Sequence, residues 1–125
     1  MKRRRVLIVV LCVGLVGFGV LITHSAERDK TSTEFREQFI KNFQRLRLNT
    51  TIGDAMMLRI LVESMKAKRG IEVGSANGFG AINMGIGFER TGGHLYTLEI
   101  SPSMVKQCRE NLKKVGLEKT VTCIE

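Results

Sequence analysis

The sequence has no tryptophan, one tyrosine and one proline, and only two histidines and three cysteines in 125 residues. The histidines, His24 and His94, are far apart, so no Ser/His/Asp or Cys/His catalytic constellation can be assembled from them. The cysteines are Cys12, Cys108 and Cys123, an odd count whose spacing matches neither a disulfide framework nor a metal site. Cys108 falls on the apolar face of a predicted helix, where core packing is the ordinary role. Aromatic residues are sparse and no basic stripe is present. The net charge is +8, but Lys2, Arg3, Arg4 and Arg5 supply four of those charges and leave +4 on residues 24–125. Nucleic-acid binding is therefore not supported. The sequence shows no internal repeat and no low-complexity segment, and its length allows one small domain at most.

Behind the basic head, residues 6–22 carry no charge. As a helix this run is about 25 Å long, just short of a hydrocarbon core of roughly 30 Å. It reads as an uncleaved single-pass membrane anchor, with a signal peptide and export after cleavage as the alternative. Counting basic residues on either side favours a cytoplasmic N-terminus. We divide the chain into an anchor or signal segment (1–23), a polar linker (24–33) and a domain (34–125).

Within the domain, Thr31 and Glu34 have capping-box spacing, and the helix after them places Phe35, Phe39, Ile40, Phe43 and Leu46 on one face. Asn49-Thr50-Thr51 matches a glycosylation acceptor but reads better as a turn. Thr51 and Asp54 form a second capping signal, opening a helix with Met57, Ile60, Leu61 and Met65 on its inner face. Ser101 and Pro102 start a further helix with Met104, Val105, Cys108, Leu112 and Val115 as its buried stripe, and Gly116 stops it.

The stretch from Arg69 to Gly80 organises the rest. A short buried strand, 71–73, runs into a glycine-rich turn, and a helix over 79–90 follows. Glycine serves where the backbone takes positive φ or approaches a ligand closely, and the first N–H groups of a helix favour anionic groups. Gly85 and Gly87 each cost that helix about 1 kcal/mol relative to Ala, which close packing against the sheet would explain. The next strand, 94–100, carries Glu99 near its end, where such folds place the acid that accepts ribose hydroxyls. A dinucleotide fingerprint from Gly74 fails at Ala76 and Phe79, and a phosphate-binding loop fails for want of a following Lys-Ser/Thr. Singly, Glu72 and Glu99 could be solvated carboxylates, and Phe79 reads as a packing residue.

The run Glu72, Gly74, Gly78, Phe79, Gly80, followed by Leu98, Glu99, Ile100, Ser101 and Pro102, resembles the S-adenosyl-L-methionine-dependent O-methyltransferases of the catechol and caffeoyl-CoA group. The segment Ile52-Gly53-Asp54-Ala55 and the third strand ending at Ile124 are similar to that group as well, so the resemblance covers roughly residues 48–125. It implies an α/β, Rossmann-like three-layer sandwich, cut after the third parallel strand. It also implies that Gly74, Ser75 and Gly78 shape the turn against the methionine end and ribose of S-adenosyl-L-methionine. Glu72 would help hold the methionine amino group, Glu99 would take the ribose hydroxyls, and Ile100 would lie against the adenine. There are two departures: Gly80 stands where the group often has a Ser, and Gly70 where it has a branched residue. The methyl acceptor would be a hydroxyl of a small molecule. A divalent metal belongs to the complete proteins of this group, held by residues this sequence does not contain, so no metal ligand and no catalytic residue is assigned.

Alternating helices and strands predict a parallel sheet; the resemblance implies the order 3-2-1, with the first strand's outer edge open to association. Two other functions stay open on the residues alone. One is a nicotinamide-dependent oxidoreductase fragment; the other is a non-catalytic, membrane-tethered fragment.

Overall fold

A computed structural model describes residues 30–125. The anchor or signal segment, 1–23, and most of the linker lie outside the described residues. No helix among the described residues is long and apolar enough to cross a membrane.

Three strands, β1 (Arg69–Val73), β2 (His94–Leu98) and β3 (Val121–Ile124), form one parallel sheet in the order β1-β2-β3. The register pairs Arg69 with His94, Glu72 with Thr97, and Leu95 with Val121. Four helices accompany them: α1 (Thr33–Lys41), α2 (Ile52–Ser64), α3 (Phe79–Thr91) and α4 (Pro102–Lys114). Right-handed crossovers that always step in the same direction put their helices on the same face of a sheet. In agreement, Leu95, Thr97, Val121 and Cys123 are buried beneath helices, while Ile71, Val73, Tyr96, Leu98 and Ile124 point to the uncovered face. The expected three-layer sandwich is thus present in two layers among the described residues. A second helical layer needs a reversal of strand order, and none occurs before β3.

α3 is the central helix. Every residue from Phe79 to Phe88 is buried, which explains why its sequence lacks a polar face. Its glycines are contact points. A Cβ on Gly85 would meet Val121 at 2.6 Å, and one on Gly87 would meet Val62 at 3.1 Å and the Arg59 carbonyl at 3.2 Å. Gly85 therefore admits the sheet side, as expected, whereas Gly87 admits α2. Gly70, one of the two family departures, lies under the Phe88 ring, 2.4 Å from where its Cβ would be. A branched residue has no room there.

The expected inner face of α2 is wrong. Ala55 and Val62 face α3, whereas Met57, Ile60, Leu61 and Met65 are exposed. This helix is apolar around most of its circumference, so periodicity cannot choose a face. The close crossing at Gly87 chooses instead, admitting only small or short side chains. Its N-terminus is as expected: Thr51 accepts a hydrogen bond from the Asp54 N–H and donates one to the Asp54 carboxylate. Asn49 sits in a turn, its side chain accepting from the Leu46 N–H.

α1 begins one residue later than its capping signal suggests, with Ser32 rather than Thr31 accepting from the Phe35 N–H. It ends at Lys41, so Phe43 and Leu46 lie in the following loop. Phe35, Phe39 and Phe43 nonetheless form a continuous ring series that reaches Phe79, with centroids 6.3, 5.7 and 5.2 Å apart. The most buried residue of α1 is charged. Arg36, 4% exposed, donates to the Val115 carbonyl and pairs with both carboxylate oxygens of Glu89. It ties α1 to the end of α3 and to the C-terminus of α4, where a cation is favoured by the helix dipole.

Strand ends moved slightly. β1 extends back to Arg69, and β2 stops at Leu98, leaving Glu99 and Ile100 in the connection to α4. α4 buries Val105, Cys108 and Leu112 as expected, and Gly116, with φ +66°, follows its end.

Candidate cofactor-binding site

In an open parallel sheet the crevice beyond the C-terminal strand ends is where ligands bind. Here that crevice is bounded by residues 74–78 after β1 and residues 99–101 after β2. The backbone of the first loop alternates in sign. Gly74, Ala76 and Gly78 all have positive φ, at +87°, +47° and +95°. Two N–H groups, of Gly74 and Ser75, converge on the Leu98 carbonyl at 2.8 and 3.2 Å and fasten the loop to β2.

The loop folds onto Glu99. The Ala76 N–H donates to one carboxylate oxygen of Glu99 at 2.8 Å, and the Ser101 N–H donates to the other at 2.9 Å. Glu99 is therefore the clasp between the two strand ends. Two donors leave further lone pairs free on a carboxylate, so it can still accept from a ligand. Ile100 beside it is 93% exposed, an apolar surface with no neighbour over it.

Beneath the loop lies Glu72. It pairs in register with Thr97, whose hydroxyl donates to the Glu72 carboxylate at 2.5 Å. Burial pushes the Glu72 carboxyl above its ordinary value, and the Thr97 hydrogen bond opposes that rise in part. Its other oxygen lies 2.4 Å from where a Cβ on Gly80 would stand. The absence of a side chain at Gly80 thus gives the Glu72 carboxylate its place at the start of α3. No side chain caps that helix; Gly78 is its N-cap residue, in the left-handed region. The first-turn N–H groups of α3 are left to a ligand or water.

Gly74 is open: nothing lies within 4 Å of where its Cβ would be. Gly78 is closed, its Cβ position lying 2.9 Å from the Cys108 sulfur. Ser75 is turned inward, its hydroxyl toward the Ala76 carbonyl and the Cys123 sulfur, so it meets the crevice through its backbone. Beneath the loop, burial and the neighbouring Cys123 push the Cys108 thiol up to about 12, so it is inert. Phe79 is a packing residue, buried against Phe43 with the Arg45 guanidinium 5.2 Å from its ring centroid.

Glu72, Gly74, Ser75, Gly78, Glu99 and Ile100 thus all lie at the C-terminal ends of β1 and β2, Gly74 and Ile100 open to solvent and Ser75 and Gly78 turned to the interior. Sequence reasoning missed Ala76 and Ser101, which act through backbone N–H groups and carry no side-chain signal. It also missed Thr97. Strand alternation puts that residue on the inner face opposite Glu72, and a polar pair there is a readable sign.

Comparison with known proteins fits this geometry. A family model described as O-methyltransferase matches residues 22–125. No curated protein sequence matches the chain. Among solved structures, a candidate O-methyltransferase from Klebsiella pneumoniae is 27% identical with a TM-score of 0.60, covering 70% of this chain and 41% of its own. The Bacillus cereus O-methyltransferase, solved with SAH, is 23% identical with a TM-score of 0.59, covering 72% and 40%. A Podospora anserina methyltransferase, also SAH-bound, is 24% identical with a TM-score of 0.61, covering 87% and 49%. This chain spans between two fifths and one half of the length of these relatives. The last two share the fold, and the family match extends over most of the sequence. The chain belongs to the O-methyltransferase family.

Proposed function

We propose that this chain forms the S-adenosyl-L-methionine-binding half of a methyltransferase that acts on a hydroxyl oxygen of a small molecule. The observation that carries the reading is the Glu99 clasp. A carboxylate fixed by the Ala76 and Ser101 N–H groups is oriented before any ligand arrives, and its remaining lone pairs suit the paired hydroxyls of a ribose.

The rest of the crevice fits the other parts of that cofactor. The exposed side chain of Ile100 offers an apolar face to a flat base. Gly74 leaves the mouth of the loop open for close approach. The uncapped start of α3 provides N–H groups for a carboxylate, and with Gly80 in place of Ser that contact falls to the backbone alone. Glu72, raised by burial, suits a cationic amino group, whose charge would favour the ionised carboxyl.

The bound sulfonium supplies an electrophilic methyl group. What this chain's residues contribute is position, by holding the donor so that an oxygen can approach in line. A divalent metal would assist the hydroxyl in a complete protein of the family, and none of its ligands is assigned among these residues.

Calorimetric titration of the chain with S-adenosylhomocysteine and, separately, with NAD tests the reading. Binding of the first, weakened at least tenfold (about 1.4 kcal/mol) by Glu99→Ala, is the expected result. Binding of NAD alone would support a nicotinamide enzyme instead. Binding of neither would favour the non-catalytic fragment.

A further inference from the structure

Two extended apolar surfaces are exposed among the described residues, and they differ in what they can take. One is the uncovered face of the sheet, beside the outer edge of β1. That edge carries backbone N–H and C=O groups that another chain can pair and hydrocarbon cannot. The other surface belongs to α2 and its C-cap. Ile52, Met56, Met57, Ile60, Leu61 and Met65 are each between 45% and 74% exposed. At about 3.6 residues per turn, the arc from Met56 through Ile60 and Met57 to Leu61 is about 140° wide. Only Gly53 and Ser64 fall within it, so no charge interrupts it. A helix satisfies its own backbone, so this surface, unlike the sheet edge, can meet lipid without stranding a hydrogen-bonding group.

The charges around α2 point to the kind of lipid. Arg45 and Arg47 precede the helix, and Lys66, Lys68 and Arg69 follow it. All five are exposed, and none is in an ion pair among the described residues. The acids of the helix are already engaged: Glu63 pairs with Arg59 and Arg90, and the Asp54 carboxylate accepts from the Thr51 hydroxyl. An apolar helix face with cations at both ends fits an anionic bilayer surface. The chain before α1 places such a surface nearby. The uncharged run 6–22 follows four basic residues, and only residues 23–29 separate it from Lys30. Seven residues reach at most about 25 Å. The described chain begins beside α2, with Thr31 and Arg59 lining one small cleft. A bilayer that takes up residues 6–22 is therefore close to α2. We propose that α2 lies along an anionic lipid surface, with Met56, Met57, Ile60 and Leu61 turned into its interfacial layer.

The sequence has no tryptophan, so one introduced into the full chain reports only its own surroundings. Met57→Trp puts the probe on the α2 arc, and Lys113→Trp, on an exposed position of α4, is the comparison. Each variant is mixed with vesicles of phosphatidylcholine and phosphatidylglycerol in which part of the lipid carries bromine on its acyl chains. The expected result is blue-shifted emission from Met57→Trp, with quenching by the brominated lipid about fivefold stronger than for Lys113→Trp. Vesicles of phosphatidylcholine alone, or the added changes Arg47→Glu and Lys66→Glu, should reduce that quenching about threefold or more. Unchanged circular dichroism checks that the variants fold. Equal quenching at the two positions, or none at either, would overturn the proposal. So would quenching that ignores both phosphatidylglycerol and the charge changes. A blue shift that grows with protein concentration in the absence of vesicles would assign the α2 face to a second copy of the chain instead.

Discussion

Positive φ at Gly74, Ala76 and Gly78 gives the loop after β1 its shape, but its two glycines are not equally crowded. At Gly74 an added Cβ meets nothing, so Gly74→Ala should cost only the left-handed strain, about 1–2 kcal/mol. Gly78→Ala bears the same strain and also drives a methyl toward the Cys108 sulfur, adding about 1–3 kcal/mol of overpacking. Urea denaturation of the two variants should rank them in that order; equal costs would mean the Cys108 contact is relaxed freely. Glu72 gives a pH signature. Because burial raises its carboxyl, the folded chain keeps a proton there that the unfolded chain has already released. Stability is unaffected by this group below its ordinary value of 4.5 and falls as pH rises from there through the folded value. Glu72→Gln should remove that fall, and a pH series of denaturant midpoints would reveal it. Such residue detail was legible where a side chain marks a place, as the Glu99 carboxylate marks the end of β2. It was hidden where backbone N–H groups act, as at Ala76 and Ser101.

At the scale of elements, the glycines of α3 decide which neighbours come close, and that explains both a success and a failure of sequence reading. The strands and the helix starts at Thr51 and Pro102 were readable because alternation, capping and proline are local signals. The buried face of α2 was not. Its apolar residues surround the helix, and the choice of Ala55 and Val62 over Met57 and Leu61 is made by Gly87 on another helix. Arg36 was invisible for a similar reason, since its partners are 53 and 79 residues away. Removing it in Arg36→Ala would strand the Glu89 carboxylate and the Val115 carbonyl and destabilise the fold by about 2–3 kcal/mol. That is below the usual cost of breaking a buried pair, because the Glu89 side chain is 38% exposed. Arg36→Met, which keeps the stem packed, should cost less. Thermal denaturation of the two would separate the ionic contribution from packing.

At the scale of the whole fold, the sheet is covered on one side among the described residues. The parallel sheet followed from the alternation of helices and strands and its order from the family resemblance, while the single covered face follows from a strand order that does not reverse among the described residues. Val73, 83% exposed, and Ile71 lie on the uncovered face of the strand whose outer edge is unpaired among the described residues. Such an edge templates association. The chain alone should therefore associate with rising concentration in sedimentation experiments, and Val73→Lys should reduce it. The central claim is that the loop 74–78 and Glu99 form one cofactor crevice. It is tested most directly by amide chemical-shift mapping of the labelled chain with S-adenosylhomocysteine. Saturable shifts concentrated at Gly74, Ala76, Gly78 and Ile100, and lost in Glu99→Ala, are the predicted result. Saturable shifts that spare these residues, or none at all, would contradict it.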